Sequence, residues 1–194
     1  MEIPTLPILI VIHAVSALLM AWPFYGTIIT GERMRLGPPV DRADTYMENI
    51  IRQQSYRCVV YQVTMFVTGA WIVFLRLGGD WQAIYTANYL LIAKVLLVVL
   101  LVGMNTYMVF YLQPRIDKFL VTAKNSEDDS KQLGKYRGRR RWMAAVCLWY
   151  VLMAVILGVQ VWDSFGQMFI LVAAAIAGLF VLRAYKGLSP YGFF

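Results

Sequence analysis

Five stretches of this chain are long and apolar enough to cross a lipid bilayer, a passage that takes about 20 helical residues. They cover about residues 5–29, 56–77, 87–112, 142–161 and 165–182. Lipid offers no partner to an open backbone group, so each stretch has to be a helix. Composition closes off the other classes. Hydrophobic residues make up 60% of the 194 and charged residues 15%; soluble domains average about 45–50% and about 25%. A sphere this small cannot hide that much apolar surface from water. This balance disfavours a soluble enzyme, a disordered chain and a disulfide scaffold. The expected fold is an all-α, polytopic membrane helix bundle with five transmembrane helices in one membrane domain.

The first span lacks the basic start of a signal peptide, carrying Glu2 instead, and its apolar run is too long for one. Only Trp162-Asp163-Ser164 separates the last two spans, which predicts a tight helical hairpin. Cys58 and Cys147 have neither metal nor redox spacing. The net charge of +7 resides in the connections. Arg33, Arg35, Arg42 and Arg52 lie between spans one and two; nine Lys or Arg from Arg115 to Arg141 lie between spans three and four; Arg183 and Lys186 follow span five. The positive-inside bias then places the N-terminus outside and the C-terminus in the cytoplasm, as an odd number of crossings requires. Trp81, Tyr85, Tyr89 and Trp162 form the expected outer aromatic belt, Tyr111 and Trp142 the inner one.

Both long connections have internal pattern. Gly37-Pro38-Pro39 breaks the first, and Asp41 or Asp44 is placed to cap a new helix. From about 41 to 55, Ala43, Tyr46, Met47, Ile50 and Ile51 recur at helical spacing, with Arg42, Glu48, Arg52 and Gln53 on other faces. This amphipathic cytoplasmic segment reads as a solvated extension of the second span, as a lipid-lying helix, or as a docking face. In the second connection, Lys124 to Lys131 is polar and expected to be mobile. The basic run Lys135-Tyr-Arg-Gly-Arg-Arg-Arg141 reads first as a topology anchor, ahead of an anionic-lipid site and well ahead of nucleic acid. No internal repeat is present, which disfavours an inverted-repeat transporter.

Two polar residues inside spans carry the chemistry. His13 is the single histidine, and Lys94 is the single lysine within a span. His13 lies eight residues beyond Thr5 and Lys94 seven beyond Ala87, so both are about 10–12 Å deep from the same side. A lysine at mid-helix costs about 2.5–3.5 kcal/mol, less if it stretches to the headgroups. No acidic residue lies in any span, so an inward Lys94 has carbonyls, Thr64, Thr68, Gln160 or an anionic ligand such as a heme propionate as partners. Asn105 and Met108 extend its face. His13 reads either as a hydrogen bond across helices or as an axial heme ligand. Bis-histidine ligation within one chain is excluded, and Met20, about 10 Å along the same helix, cannot share the iron. The ten methionines are dispersed, which gives copper little support. No phosphate loop, zinc spacing or CxxC is present.

His13 stands in VIHAVSALLMAWPFYG, Thr68 to Trp71 reads TGAW, and Lys94 stands in LLIAKVLLVVLLVGMNTYM. Over about residues 5–120 this pattern resembles a group of small bacterial membrane proteins that includes HemJ-type protoporphyrinogen oxidases and CopD-like copper-resistance proteins. The resemblance implies a functional first-helix histidine and third-helix lysine, here His13 and Lys94, and bound heme b, with His13 on the iron. The further histidines of HemJ-like chains are missing here, and the fifth span is additional.

Three functions follow as expectations. The first is an accessory subunit of a larger respiratory or redox complex in a bacterial inner membrane. Its motivations are small size, few polar groups in the spans, and small residues such as Gly158 and Ala173 to Gly178 for packing against neighbours. The second is a HemJ-like heme protein in electron transfer or porphyrin oxidation. The third is a metal or small-solute carrier. The expected partners are membrane lipids and other membrane subunits or further copies of the chain, without nucleic acid.

Overall fold

The computed structural model describes residues 5–31, 42–78, 89–123, 127–162 and 165–187. Five helices run through the described residues: α1 (Thr5–Thr30), α2 (Arg42–Arg76), α3 (Tyr89–Thr122), α4 (Glu127–Trp162) and α5 (Gln167–Lys186). Each is long and apolar enough to cross a membrane, and no strand occurs among the described residues. The protein is a polytopic all-α membrane bundle.

Helices α1 and α4 form its centre. α1 packs on α2, α4 and α5, and α4 packs on α1, α3 and α5, whereas α2 and α3 touch each other sparsely. Small buried residues on α4, among them Ala144, Ala145, Cys147 and Ala154, bring its backbone close to its neighbours. Met20, Phe24 and Ile28 of α1, Met65 of α2 and Leu101 of α3 fill the same core. A polar crosslink in the middle of the α2–α3 pair is Asn105 Nδ2 donating to Gln62 Oε1 at 3.2 Å, both side chains buried. Most remaining apolar side chains face outward, as suits a solvent of lipid tails: Leu18 is 73% exposed and Leu96 59%.

Two prolines are absorbed locally. Pro23 has no N–H to donate within α1, and Thr27 Oγ1 caps the Pro23 carbonyl at 2.8 Å. In α3, Pro114 cannot donate to the carbonyl four residues back. The helix widens into one π turn just before it, over Met108–Leu112, with the Gln113 N–H bonded to the Met108 carbonyl. The added residue per turn changes the helix phase and directs Gln113, Ile116 and Leu120 inward.

Helices α2, α3 and α4 have 35, 34 and 36 residues. Each is about 50 Å long at about 1.5 Å per residue, against a hydrocarbon core of about 30 Å. The surplus of all three lies at one end of the bundle, where the basic connections are. Segments expected as loops are therefore rigid helix. Residues Glu127 to Lys131, expected to be mobile, open α4, with three acids in its first turn and Lys131 Nζ 3.1 Å from Glu127. A second small core of Ile116, Leu120, Ala123 and Leu133 supports the overhang.

The amphipathic reading of residues 41–55 is corrected on its faces. The segment is continuous with α2, but the side it buries is Asp44, Glu48 and Ile51, while Tyr46 is 68% exposed. The reason is α4. Arg137 donates to Glu48 through Nε at 2.7 Å and to Asp44 through Nη1 at 2.8 Å. Arg140 donates to both Glu48 oxygens at 2.6 and 3.0 Å and to Gln113 Oε1 at 2.8 Å. Arg141 reaches the Tyr185 carbonyl of α5 and lies against Gly31, where a Cβ would come within 2.8 Å of its Cδ. The basic run is thus more than a topology anchor: its inward arginines link α4 to α2, α3 and α5 and to Gly31 at the end of α1. Gly37-Pro38-Pro39, Asp41, Trp81, Tyr85, Lys124 and Asp163-Ser164 lie outside the described residues, as does the side chain of Trp162.

Removing one partner from a buried ion pair strands the other charge. Glu48→Ala should lower unfolding stability in detergent by about 3–5 kcal/mol. Glu127→Ala, which breaks only the exposed pair with Lys131, should cost under about 1 kcal/mol. Chemical unfolding of the two variants side by side checks the contrast.

Candidate functional site

The sequence-predicted residues come from different helices and meet at one cavity. His13 of α1 and Lys94 of α3 both line a space of about 340 Å³ among α1, α2, α3 and α4, at the end opposite the arginine network. Ala14 and Ala17, Met65, Ile72 and Val73, Leu91, and Val151, Ala154 and Val155 supply apolar wall. Arg76 stands at its rim, and no carboxylate lines it among the described residues.

The imidazole is held by α2. His13 Nδ1 lies 3.0 Å from Thr68 Oγ1. The Thr68 hydroxyl has one proton, and its backbone acceptors are the Thr64 carbonyl at 2.7 Å and the Met65 carbonyl at 3.2 Å. When that proton is on the backbone, Thr68 accepts from the ring, and a neutral His13 then carries its proton on Nδ1 and leaves the Nε2 lone pair available to a ligand, a metal or a proton. The ring rests on Gly69, where a Cβ would approach His13 Cε1 to 3.0 Å.

Lys94 is seated in the same manner on α4. A Cβ at Gly158 would come within 2.7 Å of Lys94 Nζ. None of its expected side-chain partners bonds it here; their hydrogen bonds run elsewhere. Thr68 serves His13, Thr64 donates to the Val60 carbonyl at 3.0 Å, and Gln160 Oε1 accepts the Phe165 N–H at 3.2 Å. Asn105 and Met108 continue the Lys94 face into the buried core, as its register requires. Among the described residues, the ammonium thus meets the cavity as a positive charge without a carboxylate beside it.

Two contributors were not read from sequence as parts of this site, Gly69 and Gly158. A glycine inside a helix is unfavourable by about 0.5–1 kcal/mol relative to alanine, so each was a readable signal of close approach, but the approaching atom was not readable. Gly158, expected to serve contact with another subunit, instead makes room for Lys94 within this chain. Gly178 likewise faces Trp149, 3.9 Å from a notional Cβ. What the site offers chemically is a fixed basic nitrogen, a cation and an apolar wall, a combination that suits an amphipathic anion or a metal-bearing group with acidic substituents.

Because the chain has one histidine, its ¹⁵N spectrum reports this site alone. The neutral ring should appear as the Nδ1–H tautomer. Thr68→Val, which keeps the shape and removes the acceptor, should shift the population toward Nε2–H; an unchanged tautomer would remove Thr68 as the residue that sets it. Compared with known proteins, the chain matches no family model, no curated protein and no solved structure.

Proposed function

We propose that this protein binds a flat, apolar, acidic cofactor in the His13–Lys94 cavity, with heme b as the group that satisfies both residues, and that it serves electron transfer or porphyrin oxidation in a bacterial inner membrane. The supporting observation is that a fixed imidazole and an ammonium, from separate helices, line one apolar cavity with no carboxylate in its wall among the described residues. Iron takes imidazole nitrogen readily, and a propionate pairs with an ammonium. An anion there would offset the charge that makes Lys94 costly at this depth. The donor set therefore fits the group. The volume, near the lower end for small-molecule sites, would take part of a macrocycle.

When bound, heme would supply a one-electron iron centre. The chain's own part is to hold the His13 ring through Thr68, to place Lys94 against the acidic edge, and to exclude water with aliphatic wall. In the proposed orientation the cavity opens toward the outer face and the arginine network lies in the cytoplasm, as the positive-inside bias supports.

A second reading is an accessory subunit of a larger respiratory or redox complex. Helix α5 favours it: among its described residues only Ala177 and Val181 are buried, so most of its perimeter is available to lipid or to another subunit.

Absorption spectroscopy tests the first reading. Protein purified in mild detergent and reconstituted with hemin should show a Soret band. His13→Ala should abolish it, and Lys94→Met should weaken hemin affinity by about tenfold, the loss of one charge-assisted contact. Folded protein that stays colourless through reconstitution would overturn the heme reading. Stoichiometric co-purification of other membrane subunits would then carry the second.

A further inference from the structure

The seam between α3 and α4 at the basic end carries a row of rings and guanidiniums used neither by the cavity nor by the buried ion pairs. Arg139 lies over the Tyr107 ring at 5.2 Å. Tyr107 stacks on Tyr111 at 4.8 Å. Arg115 lies over Tyr111 at 3.8 Å and donates through Nη1 to the Tyr136 hydroxyl at 3.3 Å. The stack occurs where two apolar runs stop. That of α3 ends at Leu112, three residues before Arg115, and that of α4 begins at Trp142, three residues after Arg139. Phe110 and Trp142 beside it are 71% and 55% exposed. This is the depth at which aromatic rings and basic side chains meet lipid headgroups.

Charge accounting separates this pair from its neighbours on the same helix. Arg137 and Arg140 face inward and are closed on Asp44 and Glu48. Arg115 and Arg139 have no carboxylate partner among the described residues, and the nearby Asp117 is taken by Gln113 at 3.0 Å and Arg52 at 4.0 Å. Packing on a tyrosine face holds a guanidinium plane in place and leaves N–H groups along its edge, an arrangement suited to a phosphate diester.

We propose that the Arg115–Arg139 seam binds the headgroup of an anionic phospholipid, whose acyl chains lie along the exposed apolar surface of α3 and α4. A lipid is favoured over a soluble anion because the two charges border exposed apolar side chains rather than a water-filled recess. The proposal does not depend on what fills the His13–Lys94 cavity.

The test uses full-length protein in a neutral detergent, titrated with phosphatidylglycerol, phosphatidylcholine or inorganic phosphate, with thermal unfolding as the readout. Phosphatidylglycerol should raise Tm saturably, and the other two should not. The double variant Arg115→Gln/Arg139→Gln should need at least about tenfold more phosphatidylglycerol for the same shift. Arg115→Lys/Arg139→Lys, which keeps the charge and loses the planar stack, should fall between. Should the double glutamine variant not fold, Arg139→Gln alone decides, since that side chain is exposed. An equal response to phosphatidylcholine, a matching response to inorganic phosphate, or an undiminished phosphatidylglycerol response in the glutamine variants would overturn the proposal.

Discussion

A polar side chain carried into a membrane bundle has to find its partner inside the protein, because lipid provides none. The two ends of this molecule meet that requirement differently. At the basic end it is met almost completely: two carboxylates of α2 and two guanidiniums of α4 are buried against each other, with Gln113 of α3 completing the set. At the other end it is met by half. His13 has Thr68, but Lys94 faces a cavity with no carboxylate in its wall among the described residues.

The asymmetry has a structural logic. The arginine network clamps α2, α3 and α4 where they extend beyond the hydrocarbon, and Arg141 adds α1 and α5 through Gly31 and the Tyr185 carbonyl. With the helices held there, α2 and α3 need little direct contact elsewhere. The His13–Lys94 cavity occupies the space they leave. Glycines appear where a side chain from one helix must press against the backbone of another, Gly69 under the imidazole and Gly158 under the ammonium. The wall is held by packing, and the polar groups within it remain available.

Much of the candidate site was legible before any coordinates. Depth counting from the span boundaries placed His13 and Lys94 at a common level, because helix rise is constant and both spans enter from the same side. That they line one cavity required knowing which helices are neighbours, which a count of residues does not contain. The partner of His13 was misplaced: Thr68 had been offered to Lys94, since a hydroxyl in a span suits either group equally. The acidic face of residues 41–55 was missed for a similar reason. Periodicity scores apolar residues as buried, and here Asp44 and Glu48 are the buried side because arginines about 90 positions later meet them.

The number of spans, their helical state and the positions of the two intramembrane polar residues were determined by the sequence alone, since each follows from local hydrophobicity and from the absence of water in lipid. Which polar groups are paired was decided only by the tertiary structure. A charge buried against an opposite charge and a charge left facing a cavity have the same local sequence signature, and only the packing of distant helices distinguishes them.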